Sequence, residues 1–172
     1  MPDNQDALYK DAAASYGAAL ERLARAYESD GDRRRDLLQE IHTALWQSLA
    51  RFDGRCSLRT WVYRVAHNVA ISQAVRRRVH APALVSLDQL DAAAAPGDPD
   101  RILDEQRALE RLHALVRQLD AFDRQVMLLY LEGVDAASIG EVTGLSPGYV
   151  ATKVHRIKAI LARRFHERGR DE

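Results

Sequence analysis

Apolar residues recur every three or four positions in seven separate stretches of the chain, with polar residues on the faces between them. That period belongs to amphipathic helices, not to strands. The first predicted helix covers residues 5–29 and carries Leu8, Ala12, Tyr16, Ala19, Leu20, Leu23 and Tyr27 on one stripe, ending at Asp30-Gly31-Asp32. The second covers 33–51, with Leu37, Leu38, Ile41, Leu45 and Leu49 aligned, and Asp53-Gly54 stops it. Ser57 can accept the first free backbone N–H of a third helix over 58–79, whose inward stripe would be Leu58, Val62, Val65, Ala66, Val69 and Ser72.

The pattern fails between His80 and Arg101. Three of the five prolines, Pro82, Pro96 and Pro99, fall there among Ala, Gly and Asp. Proline interrupts helix, and so little apolar surface predicts a flexible linker, although Leu84-Val85-Ser86-Leu87 could dock. Beyond it, helices are predicted over 102–119, over 121–132 with Asp120 as cap and Gly133 as stop, over 136–142 with Asp135 as cap, and over 147–166. Ser146 followed by Pro147 marks the last start firmly, since proline suits the first helical position. The chain therefore reads as all-α: two small helical domains, 1–80 and 104–168, joined by a flexible linker over 81–103. Each is small enough to be only modestly stable alone.

Composition narrows the function. No stretch nears the roughly 20 apolar residues of a membrane span, and the acidic N-terminus lacks a signal pattern, so no membrane insertion and a cytoplasmic location are expected. The single Cys56 cannot form an internal disulfide and reads as a small loop residue. The six histidines form no HExxH pair, and neither a Gly-rich phosphate loop nor a Ser/Cys–His arrangement is suggested. The pattern implies no catalytic residues, no cofactor and no metal: a binding protein, not an enzyme. Lys+Arg and Asp+Glu balance at 25 each, but residues 81–108 hold six acids and two bases, whereas 142–170 hold seven bases and only Glu167. Clustered charge of this kind suits a nucleic-acid partner better than the zero total suggests.

Residues 135–161 have helix-turn-helix form. A short helix would turn Ala137, Ile139 and Val142 inward, a turn with Gly144 follows, and Val150, Val154, Ile157 and Leu161 face the core from a longer second helix. Such a helix lies in the DNA major groove with its N-terminal residues at base edges. Tyr149, Thr152, Lys153, His155, Arg156 and Lys158 are the outward candidates, with Arg163 and Arg164 extending the phosphate-facing charge. The segment 119–164 resembles region four of the extracytoplasmic-function (ECF) group of sigma-70-like sigma factors, on Leu119, Arg124, Val126, Leu129, Glu132-Gly133, Ile139-Gly140, Gly144, Ser146, Gly148, Val150, Arg156 and Leu161.

The N-terminal half makes the resemblance specific. Arg35-Asp36-Leu37-Leu38-Gln39-Glu40 with Ala44-Leu45-Trp46 looks like the family's DLVQExFxxxW helix. Arg51-Phe52-Asp53-Gly54-Arg55 and the run Ser57 to Asn68 resemble its RFxGxSxFRTWLYRIAxN signature, and Arg76-Arg77-Arg78 follows as in relatives. The resemblance implies a factor that binds core RNA polymerase and directs promoter recognition and melting. It implies polymerase contact through Asp36, Gln39 and Glu40. It implies capture of the melted minus-ten element by Arg55, Ser57, Arg59, Trp61, Arg64 and Asn68, with Arg76, Arg77 and Arg78 on phosphates. Trp61, Arg64 and Asn68 share one helix face, and an aromatic ring, a guanidinium plane and an amide suit unpaired bases. The minus-thirty-five duplex would meet Ser146, Gly148, Tyr149, Thr152, Lys153, His155, Arg156 and Lys158. An inhibitory anti-sigma protein is implied as a further partner, as is a role in stress response. Ala151 and Tyr149 depart from the family's pattern and touch the base-reading assignment. The competing expectation is a helix-turn-helix regulator that binds duplex DNA without recruiting polymerase.

Overall fold

The computed structural model describes residues 2–80 and 101–168, in seven α-helices with no strand among the described residues. The linker residues 81–100, including Pro82, Pro96, Pro99 and Leu84-Val85-Ser86-Leu87, lie outside the described residues. Helices α1 (Pro2–Tyr27), α2 (Gly31–Leu49) and α3 (Leu58–His80) form the first bundle, and α4 (Arg101–Arg117), α5 (Ala121–Leu131), α6 (Ala136–Thr143) and α7 (Pro147–Arg168) the second.

Caps set most of these boundaries. Asp30 accepts from Arg33 N at 2.9 Å, so the Asp-Gly-Asp break is also the start of α2. Ser57 Oγ accepts from Thr60 N, Asp120 from Phe122 N and Asp123 N, Asp135 from Ser138 N, and Ser146 Oγ from Tyr149 N. Gly144 closes α6 at φ 80°, the left-handed conformation that glycine adopts without Cβ strain.

The apolar stripes meet as expected. Leu20, Leu23, Leu37, Ile41, Leu45, Leu49, Val62 and Ala66 make the core of the first bundle. Val126, Leu129, Val134, Ile139, Val142, Val150 and Val154 pack beneath the helix-turn-helix, and Leu115, Val116, Leu119, Met127, Leu128, Ile157 and Leu161 join α4 to α5 and α7. Two expectations fail. Ser72 is exposed, because the inward stripe of α3 passes through Ala70 instead, and Ala137 is exposed while Ala136 packs against the core.

The cores of the two bundles are continuous. Ala19 of α1 and Tyr63 of α3 belong to the cluster under the helix-turn-helix, and Ala26 of α1 belongs to the cluster of α4, α5 and α7. The small side chains of Ala19 and Ala26 let the second bundle approach the α1 backbone closely. Arg124, 9 % exposed, locks this junction: it donates to the carbonyls of Arg117 and Leu119, and its guanidinium lies 5.1 Å from the Tyr27 ring centroid. Burial lowers the Arg124 pKa and raises that of Tyr27, and the guanidinium's attraction works against the latter shift.

Candidate nucleic-acid interface

Helix α2 turns Leu37, Ile41 and Leu45 inward, which leaves Asp36, Gln39 and Glu40 exposed. Together with Thr43, Ala44 and Gln47 they line a shallow groove of about 430 Å³ on the outer face of the first bundle. Glu40 receives Arg76 Nη2 at 3.0 Å and Gln73 Nε2 at 3.3 Å from α3, so the rim of this groove is a linked polar edge.

The loop before α3 and the helix itself carry the residues assigned to unpaired DNA. Arg55 is exposed and pairs with Asp53 at 3.0 Å; Ser57 is exposed and caps α3. Trp61 is half-buried: its ring stands edge-on to Phe52 at 5.4 Å, and Nε1 donates to Ser48 Oγ at 3.0 Å. One part of the ring is therefore fixed in the core while another remains accessible. Asn68 is exposed on the same face. Of the basic run, Arg76 pairs with Glu40, Arg77 pairs with the buried Glu28, and Arg78 is exposed.

Arg59 and Arg64 have different surroundings. Arg59 Nη2 donates to the Glu132 carbonyl at 2.7 Å, and Arg64 Nη2 to the Glu141 carbonyl at 2.7 Å. Glu132 is the C-cap of α5 and Glu141 lies in the last turn of α6. Carbonyls at helix C-termini lack intrahelical donors and gather the negative end of the helix dipole. Two guanidinium groups that suit nucleic acid are thus each engaged by one partly negative carbonyl of the second bundle. Alongside, Arg22 makes a two-pronged pair with Glu132, at 2.6 and 2.8 Å.

On α7 the exposed candidates are Ser146, Gly148, Tyr149, Thr152, His155, Arg156 and Lys158. Lys158 Nζ reaches the Tyr130 hydroxyl at 3.2 Å. Lys153 does not face outward: it is 8 % exposed and its ammonium pairs with Asp123. Helical spacing places residue 153 between the inward stripe and the surface, and a carboxylate on the neighbouring α5 decides which way the flexible side chain turns. Sequence spacing cannot display that cross-helix partner. Within α6, a Cβ on Gly140 would meet the Leu145 carbonyl oxygen at 2.5 Å, so the turn into α7 passes too close for any side chain there. The arginine sockets on the C-termini of α5 and α6, and the buried Arg124, were likewise invisible to motif reading.

A family model described as sigma-70 region 2 matches residues 13–79, and one described as sigma-70, region 4 matches residues 109–161. The chain belongs to the sigma-70 family, in its extracytoplasmic-function group. Similar proteins include the ECF RNA polymerase sigma factor SigX of Bacillus subtilis (strain 168), 27% identical over 149 residues that cover 83% of this chain and 75% of that protein. The RNA polymerase sigma factor CarQ of Myxococcus xanthus is 29% identical over 156 residues, 88% of this chain and 85% of its own length. Among solved structures, CnrH in complex with the cytosolic domain of CnrY superposes with a TM-score of 0.67 at 21% identity, covering 92% of this chain and 88% of that one. RpoE in complex with the anti-sigma factor NepR from Bartonella quintana gives 0.68 at 20% identity, covering 92% and 96%. This sigma factor is accordingly a promoter-specific initiation factor that binds RNA polymerase. Among its described residues no helix is long and apolar enough to cross a membrane, and no cluster of three His, Cys, Asp or Glu is placed to hold a metal ion.

Proposed function

We infer that this sigma factor divides initiation among three faces. The α2 edge of Asp36, Gln39 and Glu40 docks on the polymerase core. The loop 55–57 and α3 residues Arg59, Trp61, Arg64 and Asn68 hold unpaired minus-ten bases, with Arg76, Arg77 and Arg78 following the backbone. The exposed face of α7 meets the minus-thirty-five duplex. The observation that carries this reading is the half-anchored Trp61: a ring fixed by Phe52 and Ser48 at one edge is a rigid stacking platform at the other. The protein acts by binding in the cytoplasm, and the chemistry of RNA synthesis belongs to the polymerase.

The two promoter elements lie about 25 base pairs apart, roughly 85 Å of duplex at about 3.4 Å per step. Bundles in direct contact cannot span that distance. The arrangement with Arg59 and Arg64 on helix C-termini is therefore a closed state, and promoter engagement separates the bundles. A protein that binds across both bundles would hold the closed state. The solved relatives bound to the cytosolic domain of CnrY and to the anti-sigma factor NepR support an inhibitory partner of that kind here.

The test is run-off transcription by core polymerase on a promoter library, with and without the full chain. Promoter-specific transcripts that depend on the protein support the assignment. Duplex binding with no polymerase association would replace it with a polymerase-independent regulator.

A further inference from the structure

The buried Lys153 stands in a small box at the leading end of α7. Its ammonium pairs with Asp123 of α5 and lies 5.7 Å from the Phe122 ring centroid and 5.8 Å from that of Tyr149. A lysine that serves a phosphate needs its charge at the surface; this one is neutralised inside the domain by a carboxylate that is itself largely covered. What the ammonium touches on its outer side is Tyr149, one helical turn earlier, whose ring it holds by a cation–π contact. Tyr149 remains 52 % exposed. Its exposed companions in the first two turns of α7 are Pro147, Gly148, Ala151 and Thr152, none of them long. The Thr152 hydroxyl donates back to the Gly148 carbonyl at 3.1 Å, so its hydrogen is already used. The leading end thus presents one large, oriented aromatic ring on a surface of small residues.

Resting on the reading of α7 as the duplex-reading helix, we propose that Tyr149 is the specificity-determining residue for the minus-thirty-five element, through packing of its ring on a thymine C5-methyl group in the major groove. Lys153, Asp123 and Phe122 are positioning residues for that ring. Apolar contact with this methyl is the feature that separates thymine from the other bases in the groove, and a ring held in place loses little freedom on making it. Lys153 makes no phosphate contact in this arrangement.

The experiment uses the full chain with core polymerase on promoter DNA in which each thymine of the upstream element is replaced in turn by uracil, which lacks only the methyl. Wild type loses about fourfold in binding at one position, the value of a single buried methyl group. Tyr149→Ala binds thymine and uracil equally there. Lys153→Met reduces the discrimination without changing the slope of log affinity against log salt, and Lys153→Arg restores it; a lost phosphate contact would change that slope by about 0.9. Melting temperatures show whether the variants fold as wild type. Uracil sensitivity that survives in Tyr149→Ala, or a shallower salt slope in Lys153→Met, overturns the inference. Binding that ignores every change in the upstream element instead removes α7 as the reading helix, and the inference falls with it.

Discussion

Removing the Arg22 guanidinium isolates the closed state from the binding faces, because Arg22 belongs to none of the proposed contacts with polymerase or DNA. Its Nε and Nη2 donate to the two Glu132 carboxylate oxygens at 2.6 and 2.8 Å, and this hydrogen bonding, against a smaller effect of burial, raises the Arg22 pKa. The Arg22 side chain is 51 % exposed and that of Glu132 19 %, so solvent screens the pair substantially. Exposed pairs contribute about 0–1 kcal/mol, and a two-pronged geometry with one sheltered partner belongs at the upper end, about 1 kcal/mol. That shifts a two-state balance about fivefold. Neither Arg22 nor Glu132 belongs to a buried core cluster, so Arg22→Ala should keep both bundles folded while opening more often.

Energy transfer between dyes at Gln47→Cys and Ala162→Cys, both exposed, in a Cys56→Ser background reads the separation of the bundles. Arg22→Ala should lower the transfer efficiency at low ionic strength. The difference should vanish near 1 M salt, where the screening length is about 3 Å. At limiting polymerase, the same variant should give more open complex, because Arg59 and Arg64 are released more often from Glu132 and Glu141. Identical transfer in wild type and variant at low salt, with unchanged open-complex yield, would refute the view that this junction holds the protein closed.

Other perturbations probe separate links. Gly140→Ala should lower stability by about 1–2 kcal/mol in urea denaturation, since overpacking against the Leu145 carbonyl outweighs alanine's roughly 1 kcal/mol helical advantage; an unchanged or raised midpoint would contradict the close approach. His67 is fully buried beside Tyr27 and Tyr63, and burial pushes its pKa down to about 3, so the folded state binds fewer protons than the unfolded chain below about pH 6.5. Its contribution to stability is complete above that pH and is lost as pH falls. Between pH 7 and 5 wild type should lose about 2 kcal/mol that His67→Gln does not lose, with the depressed carboxylates Asp120 and Asp135 titrating below this window in both. Asn68→Ala should reduce promoter melting several-fold while leaving core binding intact, and equal loss of both would remove Asn68 from the capture face.

Seven helices and most caps were legible because each is encoded within four residues: Ser57, Asp120, Asp135 and Ser146 each bond a backbone N–H two or three positions on, whereas Asp30, legible only as a helix break, also caps α2. The polar edge of α2 was legible for the same reason, since a single helix's period sorts Asp36, Gln39 and Glu40 from Leu37 and Ile41. Lys153 was misplaced because its direction depends on Asp123, 30 residues away on another helix. Arg124, a matched position in a motif, gave no sign that it would bridge Tyr27 and two backbone carbonyls.

Arg59 and Arg64 follow one chemical rule. The resemblance places Arg59 and Arg64 on the melted minus-ten strand, and in the structure each guanidinium meets one free carbonyl oxygen, at the end of α5 and of α6 respectively. The assignment to DNA and the observed contact within the protein are therefore two occupants of one donor set. A helix C-terminus, with about half a negative charge, is a weaker competitor than a phosphate bearing a full one. On the proposed reading, such contacts add to the shared core in holding the bundles together, and they would yield when polymerase brings promoter DNA within reach. Replacing Arg64 by lysine separates the two, since an ammonium keeps the positive charge for DNA but sits on a shorter side chain than the Nη2 that donates to the Glu141 carbonyl. Arg64→Lys should open the closed state, read by the same energy transfer, while retaining most open-complex formation. If instead it left transfer unchanged and abolished melting, Arg64 would serve DNA alone, with no competition from the Glu141 carbonyl.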